Sequence, residues 1–384
     1  MCIPLLSQGK LLNKLYVVSS TKGNKEIYLK NRQKGLSMEH IGDYKERVNG
    51  LLTEFFDHKI KTLAKYPKDI THIMETIKEF TLRKSSRIRP LICLSAYALF
   101  REITPEAQQL ALTTELLQTS LLIQDDIMDN DDLRRGKPTV HKIYEVYKGY
   151  NKNLGMSIAI LAGDIAALLA YELVEQSSLP ATIKIRVIRE INEILEQEYY
   201  GQSLDIINAA EKVTKEDILQ TYNLKTAAYT TTGPLALGAI LAGAQESDII
   251  KLKACGKVLG LAFQIIDDLG NLFTSQEETG KIPYADLKEG KKTFIMAMTF
   301  EHASEQQKVI LQKGLGNKEL TKEAAESIKN IIIQTKGLDK TKVYAADLLQ
   351  QAEHKIQEIN TQEQGKHYIA EIIFLLKEKL AKIQ

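Results

Sequence analysis

LALTTELLQTSLLIQDDIMD, residues 110–129, is a largely apolar run that ends in a cluster of acids. The run from Leu110 to Ile123 is too long for a typical buried strand and reads as a buried helix. Carboxylates in such a helix are costly unless a cation pairs with them. Asp125 and Asp129 are four residues apart and so share one helical face. A second stretch repeats the arrangement: LGLAFQIIDDLGN, residues 259–271, is an apolar run followed by Asp267 and, four residues on, Asn271. Two such helices facing each other would line one cavity with oxygen ligands from both walls. Mg²⁺ prefers hard oxygens shared with water and phosphate.

The chain has 384 residues, of which 44% are apolar, enough for one large domain with a sizeable core. Strict strand alternation is scarce and helical periodicity dominates, so the fold class is all-α, a single large helical bundle. Lys and Arg number 51 against 49 Asp and Glu, a balance that gives no reason to expect nucleic acid. Cys2, Cys93 and Cys255 are far apart and match no zinc or disulfide pattern. That points to a reducing compartment, read as cytoplasmic. No apolar run is read as long enough for a membrane span, so no stable membrane insertion is expected.

Residues 1–37 carry Lys10, Lys14, Lys22, Lys25, Lys30, Arg32 and Lys34 against the single acid Glu26. Such a leader reads either as a transit peptide or as an upstream extension with Met38 the natural start, and we take the second reading. From Met38 the pattern becomes helical, and residues 38–384 read as one domain. The basic loop Arg83–Pro90 reads as a solvated turn or as an anion clamp at a helix start. Glu106–Asp129 reads as one helix, and so does Asp217–Thr232. Gly233-Pro234 is expected to kink or break the second of these, freeing carbonyls to face a ligand. His141 reads as a solvated loop histidine. Adjacent arginines, Arg134 and Arg135, follow the first acids closely and suit a bidentate grip on phosphate.

Together these residues resemble the trans-isoprenyl diphosphate synthases, the farnesyl and geranylgeranyl diphosphate synthase group. DDIMD with DNDDLRRGKPT, FQIIDDLGN, GQSLD at Gly201–Asp205, Lys225-Thr226 and TGK…DLKEGK fit the family in order and spacing, from about Met38 onward. The resemblance implies a Mg²⁺-dependent prenyltransferase that joins isopentenyl diphosphate to an allylic diphosphate and works as a homodimer with three Mg²⁺ ions. It implies that Asp125, Asp129 and Asp267 bind metal, with Asp126 and Asp268 beside them. Arg134, Lys225, Gln264, Lys281 and Lys291 would hold the allylic diphosphate. Arg87, Arg89, Arg135 and Gln118 would hold isopentenyl diphosphate, and Thr226 would face the developing carbocation. Two positions depart from the pattern: Ser86 stands where a Lys is usual, and Asn271 where an Asp is usual.

In the family, aromatics four or five positions before the first Asp stop the product at farnesyl. Here Leu121 and Ser120 stand there, which implies a longer product, geranylgeranyl, and a shorter one for Ser120→Phe. The rival readings are a class I terpene cyclase, a non-catalytic subunit of a heteromeric synthase, and a purely structural helical protein. The first would show an Asn/Ser/Glu triad in place of Asp267-Asp268. The second would normally lose its acid clusters. The third leaves buried acid pairs unexplained.

Overall fold

The structure, a computed structural model, describes residues 41–274, 284–359 and 361–383; residues 1–37 and Lys281 lie outside them. Residues 45–384 form a compact unit, distinct from residues 1–44, and it carries the site described below. The helices of the chain are α1 (Ile41–Thr62), α2 (Lys68–Leu82), α3 (Ile88–Ala98), α4 (Pro105–Ala111), α5 (Thr113–Met128), α6 (Val140–Val146), α7 (Lys152–Glu175), α8 (Ala181–Ala210) and α9 (Lys215–Thr221). A π-helix, Tyr222–Thr232, leads into α10 (Gly233–Leu241) and α11 (Glu246–Phe273). The remainder is α12 (Ala285–Glu289), α13 (Phe294–His302), α14 (Glu305–Gly314), α15 (Lys322–Gln334), α16 (Gly337–Gln357) and α17 (Glu363–Lys382). The all-α class holds. The strands β1 (Leu133–Arg134) and β2 (Lys137–Pro138) form a two-residue hairpin, the one sheet among the described residues.

The π-helix is the hub. It packs against α8 on one side and α11 on the other, while α5 packs against α7 and α10 against α3. Its backbone runs unusually close to both neighbours. A Cβ on Gly201 of α8 would fall 2.2 Å from the Lys225 nitrogen, and one on Gly260 of α11 would fall 2.4 Å from the Ala227 Cβ. Only glycine permits such approach.

Several expectations are corrected. No break occurs at Gly233-Pro234. The turn widens ahead of the proline, and the Gly233 amide donates five residues back, to the Ala228 carbonyl. That extra residue per turn absorbs the donor and the space that Pro234 denies an α-helix. Asp217–Thr232 is therefore α9 plus the π-helix. Glu106–Asp129 divides at Leu112 into α4 and α5, where the Thr114 hydroxyl bonds back to the Ala111 carbonyl at 2.8 Å. His141 is buried on α6, not solvated. One helix, α7, is long and apolar enough to cross a membrane by length and composition, contrary to the sequence reading. Within this fold it packs against α5 and α6.

Candidate active site

One cavity is lined by both acid helices. Asp125 and Leu121 come from α5, Asp267, Asp268 and Asn271 from α11, and Lys225 and Thr226 from the π-helix, with Arg134, Gln264, Asp286 and Lys291 around them. The last turn of α5 carries Asp125 and Asp126, with Asp129 at its C-cap. Asp126 is fully buried and receives the Arg134 Nε at 2.6 Å. Arg134 also reaches Asp125 Oδ2 at 3.5 Å and Asp131 Oδ2 at 2.9 Å. Lys225 Nζ lies 2.6 Å from Asp205 Oδ2 and 3.5 Å from Asp125 Oδ1. Lys291 Nζ lies 3.9 Å from Asp129 Oδ2 and 4.0 Å from Asp286 Oδ1, so one ammonium spans the two walls. Lys379 of α17 reaches Asp267 Oδ1 at 3.2 Å.

The electrostatics describe a site short of positive charge. Burial pushes the Asp126 carboxyl up to about 7 against the pull of Arg134. Burial, then the neighbouring Asp125, raises Asp129 to about 6. Burial and Asp286 lift Asp268 to about 8, and burial with Asp125 does the same for Glu198. Burial works against the Lys225 ammonium, yet Asp125 and Asp205 outweigh it and hold its proton more firmly than usual.

The donor set suits Mg²⁺. Asp125 Oδ1 and Asp126 Oδ2 are buried and accept no hydrogen bond. Among the described residues no three acids converge tightly enough to hold an ion by themselves. Mg²⁺ is held in that way, by one or two carboxylates with substrate phosphates and water completing its shell, where Ca²⁺ or Zn²⁺ would want a denser protein cage.

Not every predicted residue offers itself to a ligand. Asp268 is buried. One of its oxygens takes the Tyr222 hydroxyl and the other takes Gln264 Nε2 at 2.6 Å. It anchors Gln264, whose Oε1 in turn accepts from the Thr226 hydroxyl at 2.7 Å. Tyr222 is fixed from behind by the Phe294 amide at 2.9 Å. Both oxygens of the second Asp of that pair are taken up in this chain of hydrogen bonds.

The basic loop is no solvated turn. Arg83, Arg87 and Arg89 are all buried. Arg83 pairs with Glu79 and donates to the Arg134 and Pro138 carbonyls, bracing the hairpin. Arg87 pairs with the equally buried Glu115 at 2.5 Å and donates to Asn49 at 2.8 Å. Its assignment to substrate is therefore corrected: its charge is already spent inside the fold. Arg89 lies over the Tyr229 ring at 4.3 Å and donates to Thr230. The hairpin turn holds Arg135 at φ 55° and Gly136 at φ 76°, so the adjacent arginines diverge. Arg134 goes to the acids and Arg135 to the Arg83 carbonyl at 3.4 Å. Burial lowers the Arg135 guanidinium to about 10, with Arg87 and Arg89 adding to the effect against Glu115. Arg89 and Arg135 have no carboxylate partner within 4 Å among the described residues, and Gln118 is buried on α5. The pair forms a second, separate anion-seeking group.

Ser120 is fully buried, and its carbonyl lies beside Gly163 of α7, where an added Cβ would be 3.4 Å away. It sits at a helix–helix contact; Leu121, not Ser120, lines the cavity. Glu198, Tyr222 and Asp286, among others to which the sequence reading gave no role, also line it. Glu198 stands in an acid-rich stretch whose default reading is a solvated face, and Asp286 lies on a separate short helix, α12, with no helical register to Asp267.

The model of the family described as polyprenyl synthetase matches residues 70–332. Geranylgeranyl diphosphate synthase of Sulfolobus acidocaldarius is 33% identical over 267 residues, 69% of this chain and 78% of that protein. The short chain isoprenyl diphosphate synthase of Methanocaldococcus jannaschii is 34% identical, over 71% of this chain and 80% of its own length. Among solved structures, geranylgeranyl pyrophosphate synthase from Corynebacterium glutamicum, complexed with isoprenyl diphosphate and magnesium, superposes with a TM-score of 0.83. It is 27% identical and covers 88% of this chain and 99% of that one.

Proposed function

The chain belongs to the polyprenyl synthetase family and is a prenyltransferase, and on that premise we propose that it joins isopentenyl diphosphate to an allylic diphosphate with Mg²⁺. The observation that carries this reading is the pair of distinct anion-seeking groups. One is the acid-walled cavity with Lys225, Lys291 and Arg134; the other is Arg89 with Arg135. A cyclase, which takes one diphosphate, needs only the first.

Asp125, Asp129 and Asp267 would hold the metal, and bound Mg²⁺ would neutralise the allylic diphosphate so that it leaves. Lys225 and Lys291 stand where the departing charge develops. The Thr226 hydroxyl and Gln264, locked by Asp268, present oxygen dipoles to the carbon that becomes cationic. Arg89, Arg135 and Gln118 orient the second substrate so that its double bond meets that carbon. Leaving diphosphate then takes the proton. Leu121 at the cavity edge, with no aromatic one turn before Asp125, supports a product longer than farnesyl. So do relatives named geranylgeranyl diphosphate synthases.

A homodimer is part of the same proposal. Ile160, Leu161 and Leu168 on α7 and Ile185 and Tyr200 on α8 are exposed, an apolar face suited to a second copy. Covering that face would also keep α7 out of a bilayer. Incubation with labelled isopentenyl diphosphate, Mg²⁺ and each of dimethylallyl, geranyl and farnesyl diphosphate should yield geranylgeranyl diphosphate on chromatography. No extension of any primer would refute the function, and a cyclised hydrocarbon would favour the cyclase.

A further inference from the structure

The second acid wall ends in an amide. Asn271 stands one turn after Asp267, where a carboxylate would face the cavity, and its Nδ2 donates to Asp286 Oδ2 at 3.1 Å. Asp286 is supplied by α12 and lines the same cavity as Asp267, Asn271 and Lys291. The segment that carries it is tied down. The Lys291 amide donates to the Asp286 carbonyl at 2.9 Å, and the Gly290 amide to the Leu287 carbonyl. An aspartate at 271 has no proton to donate at neutral pH, so it would set two anions within hydrogen-bond distance. An amide instead gives Asp286 a hydrogen-bond donor at that place.

We propose that Asp286 supplies the anionic oxygen that Asn271 lacks, serving directly or through water as a ligand of the divalent cation held by Asp267, and that Asn271 is the positioning residue that aims it. The proposal rests on the Mg²⁺-dependent reading above. The position of Lys291 supports it: its ammonium lies within 4.0 Å of both Asp129 and Asp286, and Glu289 holds it at 2.8 Å. A cation already sits between the two walls with Asp286 as one of its neighbours.

The test is Mn²⁺ binding to the full chain, read by electron paramagnetic resonance with inorganic pyrophosphate present, alongside thermal melts. Asp286→Asn should weaken Mn²⁺ binding by about 10–100-fold. Asp286→Glu should restore part of it, and Asn271→Ala should weaken it by a smaller factor. If Asp286→Asn binds as the unsubstituted chain does while Asp267→Asn loses binding, the role of Asp286 is overturned and the metal reading stands. If Asp267→Asn binds normally, the metal reading itself fails. If Asp286→Asn is weakened but Asn271→Ala is not, Asn271 does not position Asp286.

Discussion

Arg87→Met separates two roles that the basic loop could give its arginines. Arg87 and Glu115 are each about 1% exposed and 2.5 Å apart, and Arg87 also holds Asn49. Removing the guanidinium strands a buried carboxylate, which typically costs ~3–5 kcal/mol. Arg135 feels the Glu115 charge and will soften that loss, so the lower end is expected. At roughly 2 °C per kcal/mol for a chain of this size, the melting temperature should fall by about 6 °C. The Michaelis constant for isopentenyl diphosphate should stay within about twofold, because no charge facing substrate has been removed. Arg87→Met with Glu115→Leu should recover most of the stability, since an apolar pair replaces the buried ions without an orphan. Arg135→Met should do the opposite: little change in melting, and a Michaelis constant for isopentenyl diphosphate raised by about tenfold or more. Scanning calorimetry with steady-state kinetics decides. An unchanged melt with a large rise in that Michaelis constant for Arg87→Met would refute the buried-pair assignment.

Three further outcomes are expected. In metal-free protein, Asp126, Glu198 and Asp268 keep protons up to about 7–8, while the unfolded chain loses them near 4. Their contribution is thus present at low pH and lost as pH rises toward 8, at up to ~1.4 kcal/mol per pH unit for each group. Melts at pH 5.5, 6.5 and 7.5 should fall in that order, and Mg²⁺ with pyrophosphate should flatten the trend; a pH-independent metal-free melt would contradict it. Gly201→Ala puts a methyl 2.2 Å from the Lys225 nitrogen, so backbone must move. A loss of ~1–3 kcal/mol is expected, with a fall in kcat, and full activity would show that α8 can yield. Leu121→Phe, which faces the cavity, should shorten the product on chromatography. Ser120→Phe adds a ring at a fully buried position and should destabilise the fold by ~1–3 kcal/mol. An unshortened product from Leu121→Phe would move the floor elsewhere.

The features legible in the sequence were those with a local cause. Acids at the end of an apolar run announce a buried cost, and their i, i+4 spacing names the face. The all-α class follows from periodicity, whereas the hairpin after the first acids, with positive φ at Arg135 and Gly136, appears only in the structure. The features that were not legible depend on partners far along the chain. The Ser120 carbonyl comes beside Gly163, 43 positions later, only through the packing of α5 on α7. Gly233-Pro234 reads as a kink or break because Pro234 states only that an α-turn is impossible there. Whether the helix ends or widens depends on α8 and α11 clasping it through Gly201 and Gly260.

The basic loop carries the same lesson further. Arg83, Arg87 and Arg89 are alike in sequence, and any of them could have met a phosphate. Their fates differ only through the carboxylates the fold brings to them. Glu79 takes Arg83 and Glu115 takes Arg87, and none reaches Arg89 among the described residues. Arg135, brought in by the hairpin turn, is left over in the same way. Arg89 is buried and Arg135 half-buried, and neither has a carboxylate within 4 Å among the described residues, a cost that a bound anion would relieve. The second substrate site proposed above is the positive charge left over once the internal pairs have been made.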